Sequence, residues 1–283
     1  MDKDNKQSYI RRITLTDFCE YKKLVWTLTH GVNVLSGPNG SGKSTLIQAM
    51  ALLFRDDLAF HITTKPYKDI EVEFEDGTLI NSKVTNSINK NIDIITTFDT
   101  PLKVSEAVQR LTSNGVITDL DWELYSVLGK YIKYQLAMGK KAIELLLSGK
   151  KEEGIAAVTA GKILYFDILD RMFEESGKKV VRSSDELLLI SNKSHHTVTP
   201  YQLSSGEKQL IIILTTVLIQ DNRPAILIMD EPEISMHHEW QKGLISNIVK
   251  LNPAVQIIAT THSPAIIMDG WIDRVTDISD ISE

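Results

Sequence analysis

Gly37-Pro38-Asn39-Gly40-Ser41-Gly42-Lys43-Ser44 is the stretch on which the fold turns. It fits the pattern G-x-x-x-x-G-K-[ST] and stands between a β-branched run, Gly31 to Ser36, and a run of helical apolar spacing, Ser44 to Phe54. Strand, glycine loop and helix, in that order, give the pattern its physical meaning. The glycines let successive backbone N–H groups turn inward around a phosphate chain, and the helix start presents its positive dipole end to the same anion. Lys43 brings charge to the β- and γ-phosphates, Ser44 offers a hydroxyl to Mg²⁺, and Thr45 flanks it. The bland alternative is a glycine-rich turn with an incidental lysine, and the full pattern in this setting sets it aside.

Outward from the loop, Tyr9 to Thr16 reads as a strand, and Asp69 to Lys83 as a β-hairpin about the Asp76-Gly77 turn. Ile92 to Phe98 reads as a further strand, so an antiparallel β patch is expected after the first helix. From Pro101 to Gly177 strand signals fade. Three helical segments are expected there: Val104 to Leu111, Trp122 to Leu147 broken near Gly139, and Ile155 to Phe173. Strand Glu186 to Ser191, helix Ser205 to Ile219, strand Ala225 to Met229, helix His237 to Lys250 and strand Val255 to Ala259 follow. Strands alternating with helices mean parallel α/β pairing. The expected architecture is therefore an α/β core of residues 1–100 and 178–283 with a mixed sheet, interrupted by a helical lobe at 101–177. No heptad repeat runs past three or four turns, so long coiled-coil arms are not expected.

Composition narrows the class without naming a partner. The chain has 283 residues, 42% hydrophobic and 24% charged, with a formal net charge of −6. That excludes disordered and fibrous classes and disfavours indiscriminate coating of nucleic acid. Cys19 is the single cysteine, so neither an intrachain disulfide nor a cysteine metal cage can form. The start MDKDNKQSY lacks the apolar core of a secretory signal. The longest apolar stretch, Leu210 to Ile219, is about half of the roughly 20 residues that a membrane span needs. A cytoplasmic chain with no membrane partner is expected.

Three further segments carry chemistry. Ala225 to Asp230 is a buried-type strand ending in Asp230-Glu231, and carboxylates at the C-terminal edge of a parallel strand face the crevice where ligands bind. Asp230 is the candidate Mg²⁺ partner; Glu231, one residue on, can polarise an attacking water. Leu203-Ser204-Ser205-Gly206-Glu207 precedes an apolar helix. It reads either as a second anion site built from Ser204 and Gly206 or as a plain capping box with Glu207 at N3. Thr260-Thr261-His262-Ser263-Pro264 follows another strand, which places His262 at the same crevice.

These four pieces, in this order, resemble the ABC-type ATPase family. Gly37 to Ser44 matches its Walker A loop, Leu203 to Glu207 its signature, Ile226 to Glu231 its Walker B strand and glutamate, and His262 its switch histidine. The resemblance implies a head that binds ATP and Mg²⁺, hydrolyses ATP and dimerises on it. Each nucleotide would be held between one subunit's Walker residues and the Ser204 and Gly206 of another. It also implies Glu231 as the activator of water, His262 at the γ-phosphate and Ile234 to His237 as the loop crossing the dimer interface. Asp230-Glu-Pro-Glu233-Ile-Ser-Met-His237-His-Glu-Trp240-Gln241 looks like the DEPE-x-x-LH-x-x-Q pattern of OLD-like ATPases and of Septu- or retron-associated defence ATPases, with Met236 for the usual leucine. By that resemblance the chain controls a separately encoded effector, a nuclease, in a prokaryotic anti-phage complex. The alternatives are a repair or recombination ATPase of RecF or SMC type, the ATP-binding subunit of a membrane transporter, and a nucleotide sensor that barely turns over. A Q-loop glutamine has no counterpart beside Phe98 and Asp99.

Lys130, Lys133, Lys140, Lys141, Lys150 and Lys151, with Glu144 as the one acid among them and Tyr125, Tyr131 and Tyr134 interleaved, make a cationic helical stretch in an acidic chain. It suits nucleic acid or an acidic partner protein, against the plain reading of a solvated helix face. Phe18 and Tyr21 are candidates for adenine stacking or for packing. His195 and His196 read as loop residues, since adjacent histidines diverge and a third ligand is missing. Trp122 and Trp240 read as packing residues.

Overall fold

A computed structural model describes residues 8–18, 21–54, 67–82, 90–95, 116, 118–149 and 153–283. Along the chain run β1 (Ile10–Phe18), β2 (Tyr21–Thr27), β3 (Val32–Ser36), α1 (Lys43–Phe54), β4 (Asp69–Phe74), β5 (Leu79–Asn81) and β6 (Ile92–Ile95). Two long helices follow, α2 (Asp119–Leu147) and α3 (Glu153–Met172), then the short strands β7 (Lys178–Val180), β8 (Leu189–Ser191) and β9 (Thr197–Val198). The chain closes with α4 (Ser205–Ile219), β10 (Ala225–Asp230), α5 (His238–Leu251), β11 (Val255–Thr260), α6 (Pro264–Met268) and β12 (Val275–Asp277).

Five strands form a parallel sheet in the order β12-β3-β11-β10-β6. Every residue of β10 and of β11 is buried, the pattern of strands covered on both faces. Alternate side chains serve two cores. Val34, Leu227, Met229, Ile257 and Ala259 join α2, α3, α4 and α5 on one face, while Leu35, Ile226, Ile228 and Ile258 join α1 and the antiparallel sheet on the other.

That antiparallel sheet runs β2-β1-β4-β5 and contains the hairpin expected at 69–83, but β6, expected in the same patch, instead pairs parallel with β10 in the other sheet. A register shift between Ile10 and Arg12 allows Ile10 and Ile13 both to face inward. Gln256 of β11, fully buried, ties the two sheets together. Its side chain accepts from the Ile10 N–H at 2.9 Å and donates to the Ile10 and Thr29 carbonyls at 2.8 and 3.1 Å.

Several expectations need correction. α2 is continuous through Gly139, which has open space where a Cβ would sit. A glycine in a helix interior costs only about 1 kcal/mol, too little to break a helix anchored at its core-facing residues. Tyr131 and Tyr134 are buried with Tyr165 and so are not free to stack on bases. Phe18 is buried at the end of β1, which removes it as an adenine platform, and Tyr21 is the first residue of β2. Val104 to Leu111, Lys150 and Lys151 lie outside the described residues.

Candidate functional site

The glycine loop leaves the C-terminal edge of β3 and enters α1, with Gly37, Gly40 and Gly42 at φ of 147°, 78° and 100°. Residues with a Cβ rarely adopt these angles. At Gly37 a Cβ would also lie 2.8 Å from Ile278 Cγ2. The Leu46 N–H makes a helical bond back to the Gly42 carbonyl, so the amides of Lys43, Ser44 and Thr45 come before it and point out of the helix end. Lys43 is almost fully buried, and its ammonium donates to the Gly37 and Pro38 carbonyls at 2.9 and 3.0 Å, folded over the loop. Burial pulls its pKa down, opposed by the negative charges of Glu231, Asp230 and Asp277. The Ser41 hydroxyl is buried in the same loop without a hydrogen-bond partner among the described residues, so the loop retains a polar atom suited to a polar ligand.

Asp230 ends β10 beside this loop. Its carboxylate accepts from the Thr260 hydroxyl at 2.5 Å and from the Ser44 hydroxyl, while burial raises its pKa against both hydrogen bonds. A serine hydroxyl and a carboxylate held together are hard oxygen donors that fit Mg²⁺, which usually takes one or two protein ligands and fills its shell with water and phosphate oxygens. Among the described residues no group of three or more His, Cys, Asp or Glu could hold a metal unaided. An ion at Ser44 and Asp230 therefore depends on a ligand's oxygens.

Glu231 turns the chain away from the strand at φ +42°, a strained angle for a residue with a Cβ. The turn is fixed by its N–H, which donates to the Thr260 carbonyl at 3.2 Å and to the Thr260 hydroxyl at 3.1 Å. His262 meets it across the crevice, Nε2 to Oε1 at 3.1 Å. Two side chains, Glu233 buried and Gln241 half-buried, hold the histidine loop. Glu233 Oε1 accepts from the Thr261 hydroxyl and from the His262 and Ser263 N–H groups at 3.0 and 3.2 Å. Gln241 accepts from the Ser263 hydroxyl at 2.6 Å and donates to the Met236 carbonyl at 3.0 Å. The second Glu233 oxygen is buried without a partner, and burial raises the pKa of this carboxyl.

Lys43, Ser44, Asp230, Glu231 and His262 thus converge at the C-terminal ends of β3, β10 and β11. Ser204 and Gly206 do not join them. Ser204 is the N-cap of α4, in a capping box: its N–H and hydroxyl each lie 3.0 Å from Glu207 Oε2, and it accepts from the Glu207 N–H at 3.4 Å. Lys178 pairs with the same carboxylate at 2.7 Å. Burial acts to raise the Glu207 pKa, but the bonds from Lys178 and Ser204 outweigh it and hold the group below its ordinary range. The capping box leaves Ser204 and Ser205 exposed. Gly206 is packed against the turn after Glu231: a Cβ there would lie 2.1 Å from the Ser235 carbonyl oxygen. His195 and His196 are exposed between β8 and β9. Trp240 packs edge-on against Phe173, and Trp122 stacks on Tyr125.

Sequence reasoning missed Thr260, Glu233, Gln241 and Asp277 as parts of the site. Asp277 lies beside the phosphate loop because β12 pairs with β3 in the register Asp277 to Ser36. The motif containing Glu233 and Gln241 was visible, but its structural reason, two side chains fastening a loop 30 and 22 residues further along the chain, was not.

Comparison with known proteins agrees with this geometry. Residues 9–179, more than half of the chain, match the family described as AAA ATPase domain, and residues 132–269 match a second AAA domain family. Septu protein PtuA of Bacillus mycoides (strain KBAB4) is 25% identical over 307 residues, covering 95% of this chain, and the chain spans 40% of that relative's length. The DNA replication and repair protein RecF of Cytophaga hutchinsonii is 22% identical, covering 95% of this chain and 83% of the relative. Among solved structures, the Smc head bound to the C-winged helix domain of ScpA shares the fold at a TM-score of 0.52 and 16% identity, with 92% of this chain and 91% of that one covered. Among the described residues no helix is long and apolar enough to cross a membrane. The chain belongs to the AAA ATPase domain family, and its phosphate loop, Asp-Glu strand end and histidine loop are where that family's chemistry is to be sought.

Proposed function

We propose that the chain binds ATP with Mg²⁺ in the crevice at the ends of β3, β10 and β11, hydrolyses it as a dimer, and controls a separately encoded nuclease in a prokaryotic anti-phage complex. The observation that carries the catalytic reading is the hydrogen-bond contact of Glu231 with His262, beside Lys43 and the Ser44–Asp230 pair. In this reading the loop amides and Lys43 bind the triphosphate. Ser44 and Asp230 would hold the ion, which would supply positive charge to the phosphates. Glu231, held in contact with His262, orients water and takes its proton, and the imidazole then faces the departing phosphoryl group.

The Septu-like similarity along 95% of the chain supports the defence role. Comparable similarity to RecF supports a second reading, a DNA repair ATPase. Ser204 is hydrogen-bonded to Glu207 and Gly206 packs on Ser235 rather than on the phosphate loop, which supports their use against the nucleotide of another copy.

Phosphate release by the purified chain tests the catalytic reading. Lys43→Ala should lose nucleotide binding by about a hundredfold or more. Glu231→Gln should bind ATP like the parent while turnover falls by about a hundredfold, since only the base is removed. Equal turnover in Glu231→Gln and the parent would remove Glu231 from its role. For the cellular role, recovery of a nuclease with the chain from its native source supports defence, and recovery of DNA without a nuclease supports repair.

A further inference from the structure

α2 has a face that neither core uses. Its core side is set by Leu124, Val127, Tyr131 and Tyr134, all buried. About a third of a turn away, Ile132 (47% exposed), Leu136 (63%), Ile143 (57%) and Leu146 (44%) form one apolar line. With Gly139 the positions are 132, 136, 139, 143 and 146, alternating steps of four and three. That is the a/d spacing with which one helix receives another in a coiled coil. The line extends back through Gly129 to Tyr125, which is also exposed. Among the described residues nothing lies within 4 Å of a Cβ position at Gly129 or Gly139, so a partner backbone can approach closely at both.

The charges beside this line indicate the kind of helix that fits. Lys133 and Lys140 occupy the e positions and are exposed, with Lys130 and Lys141 exposed further round. The g positions along the line are Leu128, Gln135 and Ala142; of the four acids of α2, Asp119, Asp121 and Glu123 lie at its start, ahead of the line, and Glu144 lies off the e and g positions. A second copy of α2 docked in register on this line would therefore offer no acid to these lysines: an antiparallel pair centred on the line sets lysine against lysine, and a parallel pair sets Lys133 against Leu128 and Lys140 against Gln135. Nucleic acid would engage the lysines but leave the apolar line facing a polar surface, and Tyr131 and Tyr134 are buried and cannot stack.

We propose that this face of α2 is a docking seam for an acidic amphipathic helix of a different chain, its apolar residues packing on Ile132, Leu136, Ile143 and Leu146 and its carboxylates meeting Lys133 and Lys140. The seam is independent of the nucleotide chemistry, so the two can be tested separately.

The test uses the full chain and two fluorescent helical peptides of about three heptads with identical leucine and isoleucine seams, one with Glu at the flanking positions and one with Lys. Fluorescence anisotropy should show the acidic peptide binding at least about tenfold more tightly than the basic one. Leu136→Ser with Ile143→Ser, and separately Lys133→Glu with Lys140→Glu, should each weaken the acidic peptide by about tenfold or more while helicity and phosphate release stay at parental values. Four results would each overturn the proposal. The peptides bind equally; or neither binds, as when the face is already covered within the chain; or labelled duplex DNA displaces the acidic peptide and binds the Ser variants as well as the parent; or the parent sediments as a dimer through this face that the Ser variants dissolve.

Discussion

Glu233 illustrates how much of the site depends on residues that never touch a phosphate. It sits two positions after Glu231 and is buried, yet its Oε1 receives three donors from the loop that carries His262. Removing that acceptor leaves a hydroxyl and two backbone N–H groups without their partner and frees His262 to drift from Glu231. Glu233→Ala should lower kcat by about tenfold to a hundredfold, with a much smaller change in KM, because displacement of a catalytic group by about 1 Å can cost that much. Glu233→Gln keeps an accepting oxygen and removes a buried charge, and should recover most of the rate. Steady-state kinetics of the two variants decide it: equal losses in both would mean the negative charge matters, not the loop's attachment.

At the scale of elements, Gly206 and Glu207 fix how α4 begins. Gly206 touches Ser235, so Gly206→Ala should push the turn after Glu231 aside and destabilise the fold by about 1–3 kcal/mol, seen as a lower melting temperature. Glu207 has its pKa held below its ordinary 4.5. Its stabilising contribution is therefore complete above pH 4.5 and is lost as the pH falls through the lower folded value. Melting temperatures of the parent and of Glu207→Gln should differ at neutral pH and converge as acid is added below pH 4.5; a constant gap would show that the Lys178 and Ser204 bonds do not stabilise the carboxylate.

What the sequence revealed at this scale follows from physical constraint. Gly37 to Ser44 was legible because phosphate geometry dictates residue types at fixed spacing, and β10 and β11 because strands buried on both faces must be continuously apolar. β2 was hidden by its lysines, Lys22 and Lys23, which suit an edge strand. β7, β9 and β12 are too short and too polar for a period to show, and they form because neighbouring strands recruit them. Gly139 suggested a break that core packing overrides, and the tyrosines of α2 looked like a binding face because spacing alone does not say which side of a helix meets the core.

For the whole molecule, the central claim is that one copy holds an incomplete site. The crevice gathers Lys43, Ser44, Asp230, Glu231 and His262, while Ser204 and Gly206 stand at the start of α4, and in the proposed sandwich they complete the site of the opposite copy. A complementation assay tests this most directly. Lys43→Ala and Ser204→Arg should each be inactive alone, one lacking the phosphate loop's charge and the other the facing signature. Mixed in equal amounts, they should regain up to about a quarter of the parental rate, since half the dimers are mixed and each mixed dimer holds one intact site. Full turnover by Ser204→Arg alone, or a mixture as inactive as its components, would contradict the account.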